Sequence, residues 1–191
     1  MYDFLAKMDI SWGMKFKLQG DVLNNVHEFK YLGVYIDSAM KDDNEMGRRA
    51  RAIYATGNTI ISKFGMCSDR CKILMFKTYC YNVYCMALWC NYRVRSYAKV
   101  KIAHNDVFRS LMNVQRSESA STLFANHDTN NLDVNCRVAT YSLMERLLGS
   151  DNTIIQALCT SEARTHSKLW KCWAVRLGLE WDYLMLRWVW K

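Results

Sequence analysis

The chain has 191 residues, 51% of them hydrophobic, no proline and a net charge of +8. That is enough for one domain, or one with a small appendage, burying roughly two thirds of its unfolded surface; it excludes a disordered chain, and the lack of proline suits a helix-dominated one. The charge is unevenly placed: residues 64–116 carry nine Lys/Arg against two Asp/Glu, residues 1–63 nine against eight, and residues 117–191 eight against eight.

A surplus confined to the middle third is what a polyanion-binding face looks like, because phosphate contacts release counterions. A solvated helix surface gives the same count. Eight cysteines without a basic-then-apolar leader in Met1–Lys15 predict free thiols in a reducing compartment. The uncharged run Thr78–Tyr92 is interrupted by asparagines and tyrosines and falls short of the ~20 apolar residues of a spanning helix. The expectation is a soluble intracellular protein, in cytoplasm or nucleus, with no membrane partner.

In chain order, Phe16-Lys17-Leu18 and Val22-Leu23 flank the turn-forming Gly20-Asp21, which predicts a small β-hairpin. Phe29–Asp37, FKYLGVYID, follows with the alternation of one strand, placing Phe29, Tyr31, Gly33 and Tyr35 on one side and Lys30, Leu32, Val34 and Ile36 on the other. After Asp37 the chain reads as helix. Asp42 with Glu45 has capping-box spacing and opens a helix to Phe64, with Met46, Ile53, Ile60 and Ile61 inward and Gly57 weakening its middle by about 1 kcal/mol. Arg48, Arg49 and Arg51 sit on its first turns, against the helix dipole.

A second helix is predicted over Asp69–Cys90, with Ile73, Phe76, Cys80, Val83, Ala87 and Cys90 as its buried stripe. A third spans Ser96–Val114 on a Val100, Ala103, Val107, Leu111 and Val114 seam, with Lys101, Arg109 and Arg116 forming a basic ridge away from it. A short helix begins at Ala120. Another runs over Leu132–Leu148 with Val134, Val138, Tyr141, Met144 and Leu148 on one side, and Ser150 or Asp151 caps a brief helix through Ile155 and Leu158. The end, Ser167–Lys191, holds five of the seven tryptophans. The expected division is 1–40 as an N-terminal segment with the hairpin, 41–176 as a helical bundle and 177–191 as a Trp-rich tail.

The residues offer no catalytic constellation. Asp42-Asp43 is the one adjacent carboxylate pair that a phosphoryl-transfer metal would use, and helix capping accounts for it equally well. Cys67 and Cys71, with Cys80, Cys85 and Cys90, lack the tight knuckles of a structural zinc site, and core packing is the stronger reading. No Ser elbow and no Gly-rich phosphate loop is present.

The order of the parts nevertheless resembles one family. FKYLGVYID, the following DDNEMGRRARAIYATGNTIISKF helix, MCSDRCKILMFKTYCYNVY, the Leu88-Trp89-Cys90-Asn91 step and AHNDVFRSLMNVQRSESASTLF resemble the segment after the palm in non-LTR (LINE-type) retrotransposon reverse transcriptases. The likeness continues weakly through RVATYSLMERLL, NTIIQAL and SKLWKCW, covering residues 17–173. It implies a thumb-like helical bundle behind a primer-grip-like hairpin of Phe29, Tyr31, Leu32 and Gly33, with RNA or an RNA/DNA duplex as a non-specific partner and an upstream palm domain as a neighbour. Charge placement, rather than a family motif, adds Arg48, Arg49, Arg51, Lys72, Lys77, Lys99 and Lys101 as candidate contacts to the nucleic-acid backbone.

The family's Ala-Asp-Asp turn would precede Met1, so no polymerase activity and no cofactor are expected of this chain, although the parent RNA-directed DNA polymerase uses Mg²⁺. Gln115 and Ser117 replace the proline and tryptophan common in relatives, as in a decayed copy. The alternative expectation is a decayed helical fragment with no retained binding.

Overall fold

The computed structural model describes residues 17–18, 21–22, 26–81, 83–162 and 166–178. The fold is mainly helical, as the composition predicts, with two small antiparallel hairpins at its N-terminal end where the residue pattern predicts one. The strands are β1 (Lys17–Leu18), β2 (Asp21–Val22), β3 (Glu28–Tyr31) and β4 (Val34–Asp37). The helices are α1 (Asp43–Phe64), α2 (Asp69–Tyr79), α3 (Val94–Leu111), α4 (Ala120–Asn126), α5 (Leu132–Leu148), α6 (Thr153–Thr160) and α7 (Lys168–Leu177), with a 3₁₀ turn at Met86–Leu88. In the first hairpin Leu18 pairs with Asp21, which makes Asp21 a strand residue rather than part of the turn. Trp181, Trp188 and Trp190 lie outside the described residues.

FKYLGVYID is not one strand but a second hairpin. Leu32 (φ 45°) and Gly33 (φ 81°) both adopt left-handed backbone, as the tightest two-residue hairpin turns require. The chain therefore reverses between Tyr31 and Val34. Reversal also changes the faces: Phe29 pairs with Ile36 and Tyr31 with Val34, while Tyr35 pairs with Lys30. Partners across an antiparallel ladder share a face, so Tyr35 lies opposite to Phe29 and Tyr31, not beside them.

The centre of the fold is the seam of α1 and α3, which run parallel. Asp43 Oδ1 accepts from Arg93 N at their N-terminal ends, Tyr54 meets Asp106 midway, and Gly57 lies against Val107. Met46, Ile53 and Ile60 are buried as predicted, facing Val100, Ala103, Val107 and Leu111. Around Phe76 an aromatic cluster closes the core: Phe108 at 4.7 Å, Phe124 at 6.3 Å and the fully buried His104 at 4.9 Å between ring centroids.

Three predicted helices change. The second stops at Tyr79 instead of Cys90, because Tyr79 to Tyr84 are poor helix formers and Cys85 takes a left-handed turn (φ 63°). Its apolar residues still point inward, since Phe76, Cys80, Val83 and Ala87 are all buried. The third begins two residues earlier, at Val94, and ends at Leu111.

The fifth helix keeps its predicted bounds but turns a different face to the core. Leu132, Asn135, Cys136, Thr140 and Met144 are buried, whereas Val138 and Tyr141 are exposed. Of this polar pair, Asn135 Nδ2 donates to the Tyr81 carbonyl and Thr140 Oγ1 accepts from Arg176, while Asn135 Oδ1 is buried without a partner among the described residues. Asn152, not Ser150 or Asp151, caps α6 through Ile154 N and Ile155 N, and Leu158 is exposed. On α7, Trp173 is fully buried and Trp170 packs on it at 5.1 Å. Among the described residues no helix is long and apolar enough to cross a membrane.

Candidate nucleic-acid interface

The second hairpin is held to α1 by one buried carboxylate. Glu45 is 1% exposed and accepts from Arg48 Nε at 2.9 Å and Nη2 at 2.7 Å, from Arg49 Nε at 2.5 Å, and from the backbone N–H of Tyr35 at 3.3 Å. The same two arginines reach over the hairpin turn to the Gly33 carbonyl, at 2.5 Å and 3.2 Å. Arg48 also stacks over the Tyr35 ring and Arg49 over the Tyr84 ring. Burial pushes the Glu45 carboxyl upward, but the Arg48 hydrogen bonds, the Tyr35 N–H and Arg49 outweigh it and hold it below the usual carboxylate range.

Glu45 is thus an anchor rather than the return arm of a capping box. Asp42 also departs from its predicted role. Its side chain makes no cap bond and instead accepts from Cys90 N at 2.9 Å and Asn91 N at 2.7 Å, tying the start of α1 to the loop before α3.

The hairpin's outer face is apolar and open. Phe29, Tyr31 and Leu32 are 56%, 56% and 72% exposed, the two rings lie 6.5 Å apart, and Ile36 joins them. The primer-grip-like set therefore stays together at the surface, with Gly33 at its tip fixed by the arginines behind it.

The seven candidate cations separate into two groups. Arg48 and Arg49 are committed to Glu45 and Gly33, Lys101 to Asp133 at 2.6 Å, Lys77 to the Asp128 carbonyl at 3.1 Å, and Lys72 to Asp69 at 3.5 Å. Arg51 and Lys99 are exposed and have no hydrogen-bond or ion-pair partner among the described residues. The predicted ridge is likewise paired: Arg109 and Arg116 both bind Asp106, at 3.3 Å and 2.5 Å.

The two free cations share one face. Arg51 sits one turn before Tyr54 on α1, and Lys99 two turns before Asp106 on α3, spacings that return to the same side of a helix. Tyr54 Oη donates to Asp106 Oδ2 at 3.1 Å across the seam. Both cations therefore lie on the side of the seam that carries Tyr54 and Asp106, the two residues at the head of a cleft of about 400 Å³ also lined by Asn58, Ser110, Arg109 and Arg116.

Arg95, one turn before Lys99, is also exposed and without a partner among the described residues. It escaped the sequence reading because the helix was begun at Ser96; Val94-Arg95 as first-turn residues would have placed it. Four arginine or lysine side chains at the seam, Arg51, Arg95, Lys99 and Arg116, against one carboxylate make the face strongly positive.

Asp42 and Asp43 are drawn into the fold by backbone contacts. Both already accept backbone N–H groups of residues 90–93, and among the described residues no three His, Cys, Asp or Glu side chains gather into a metal-binding group. Cys67 and Cys71 interact through their side chains. Set against family models, curated proteins and solved structures, the chain matches none.

Proposed function

We propose that the chain is a non-catalytic C-terminal portion of a non-LTR retrotransposon reverse transcriptase, a thumb-like bundle that holds RNA or an RNA/DNA duplex by its phosphates without reading sequence. The observation that carries this reading is the α1–α3 face, where Arg51, Arg95 and Lys99 project from two parallel helices with no hydrogen-bond or ion-pair partner among the described residues. Unpaired cations in a row are suited to phosphate contact, which positions a duplex without specifying its bases. The exposed hairpin supports the same reading, since Phe29, Tyr31, Leu32 and Ile36 present an apolar surface of the kind that marks an interaction site. Its neighbour would be the primer end or a preceding palm domain.

Fluorescence anisotropy with a labelled RNA/DNA duplex tests it. The wild-type chain should bind at low salt and weaken steeply as salt rises, and Arg51→Glu, Arg95→Glu and Lys99→Glu together should abolish binding with an unchanged thermal melt. Equal binding by the triple variant would remove the face from consideration. Primer extension by the purified chain with Mg²⁺ and nucleotides would overturn the non-catalytic assignment. The second reading, a fragment that retains no binding, is favoured by the five candidate cations consumed inside the fold, and it predicts no anisotropy change even at low salt.

A further inference from the structure

On another side of the molecule a groove of about 560 Å³ runs between the start of α3, α5 and α7. Its floor holds Tyr92 and Tyr97, whose rings lie 5.6 Å apart and 25° from parallel. Its rim holds Arg137, Lys168 and Lys171, all exposed and all without a hydrogen-bond or ion-pair partner among the described residues.

The carboxylate in its wall, Asp133, is ion-paired with Lys101 at 2.6 Å, accepts from the Tyr97 hydroxyl at 2.8 Å and is also favoured electrostatically by the Arg137 guanidinium, which makes no ion pair with it. A fourth cation, Arg176, is spent on the fold: it donates to the Met86 and Trp89 carbonyls and to Thr140 Oγ1. What remains is an aromatic floor beneath three available positive charges.

We infer that this groove takes a nucleotide unit of single-stranded RNA, its phosphate on the Arg137, Lys168 and Lys171 rim and its base against the tyrosines. The inference rests on the nucleic-acid reading above and adds a second site to it, since the two sites share no residue. The pairing of cations with aromatic side chains is how sequence-tolerant single-strand sites work, the bases stacking while the backbone follows the positive charge. The volume falls within the range of small-ligand sites, about 300–1,000 Å³, which suits an unpaired nucleotide and not a double helix.

The test uses the full chain, a fluorescein-labelled oligouridine and the RNA/DNA duplex. Arg137→Glu, Lys168→Glu and Lys171→Glu together should weaken oligouridine binding by about tenfold or more while leaving duplex binding close to wild type. The Arg51, Arg95 and Lys99 reversal should do the opposite. A glutamine version of the groove variant guards against misfolding, and identical thermal melts establish that it is folded.

Cys172 lines the groove and Cys67 does not, so oligouridine should slow iodoacetamide labelling of Cys172 relative to Cys67, read by mass spectrometry. Unchanged oligouridine binding by both groove variants, or duplex binding without oligouridine binding by the wild type, overturns the inference and leaves the thumb-like reading standing. Binding of neither ligand overturns both. Equal protection of Cys172 by inorganic phosphate at the same concentration would assign the groove to a free anion and likewise overturn it.

Discussion

Gly57 lies so close to Val107 that a Cβ built on it would stand 2.6 Å from Val107 Cγ2, inside van der Waals contact. Sequence alone assigns this glycine a cost, because alanine is the better helix former by about 1 kcal/mol. In the fold the missing side chain is what lets α1 and α3 approach. Gly57→Ala should therefore destabilise, by about 1–3 kcal/mol as overpacking usually does, with a rigid β-branched neighbour unable to turn aside. The double variant with Val107→Ala should recover part of that loss relative to the sum of the two single changes. Urea midpoints of the four proteins decide it; a Gly57→Ala chain more stable than wild type would mean the seam relaxes.

Glu45 joins the hairpin to α1 through Arg48, Arg49 and Tyr35, so Glu45→Ala should cost more than a surface ion pair. Removing one partner of a buried pair strands the other, and about 2–4 kcal/mol is expected here, since Arg48 and Arg49 keep some solvent contact. The pH dependence has a definite sign. The carboxyl is held below its ordinary value in the folded chain, so its stabilisation is complete above the unfolded value, about 4.3, and is lost as the pH falls through the lower folded value. Chemical denaturation at pH 7 and pH 3.5 should show the penalty of Glu45→Ala shrinking in acid.

The helical class, most helix starts and much of the core were readable because they follow from apolar spacing and from residues such as Gly65 and Gly149 that close a helix. Several site features were not, and each for a local reason. FKYLGVYID alternates perfectly as a strand, and a leucine at the first turn position hides the reversal that Gly33 permits. Val138 and Tyr141 match an apolar stripe, but Asn135 and Thr140 displace them because each satisfies a specific partner across the core. The basic ridge was legible as charge, yet charge cannot say which cations are spent internally; Asp106, 10 residues before Arg116, decides that only once the chain is folded.

His104 offers an acid-sensitive contribution of a different kind. Both ring nitrogens are buried without a partner among the described residues, between Phe76 and Phe124. Burial pushes its pKa down to about 4, Asp133 opposing only weakly. Between that value and the ordinary 6.5 the unfolded chain binds a proton that the folded chain does not. Stability should therefore fall as pH drops through this window, by on the order of 3 kcal/mol in all, and be unaffected by this group above it. His104→Leu, similar in size and without polar atoms, should flatten the dependence between about pH 5.5 and 6.5, above the ordinary carboxylate range; an unaltered slope would show that other groups produce it.

Leu32 occupies the first turn position of the second hairpin with φ 45°, and its side chain is 72% exposed. A leucine in left-handed backbone is disfavoured by roughly 1 kcal/mol, because its Cβ crowds the following carbonyl, and its exposed side chain recovers nothing by packing. Asparagine tolerates that conformation and, followed by glycine, is the strongest sequence signal for such a turn. Leu32→Asn should accordingly stabilise the hairpin, by about 0.5–1 kcal/mol, and slow amide exchange at Tyr31 and Val34, whose pairing the turn fixes. The retained leucine then acquires a functional meaning: with Phe29 and Tyr31 it completes the apolar tip that would face a primer end or a palm. A variant that is more stable yet binds the RNA/DNA duplex less well would show that the chain keeps Leu32 for contact, and equal binding would show that the tip touches nothing in that complex.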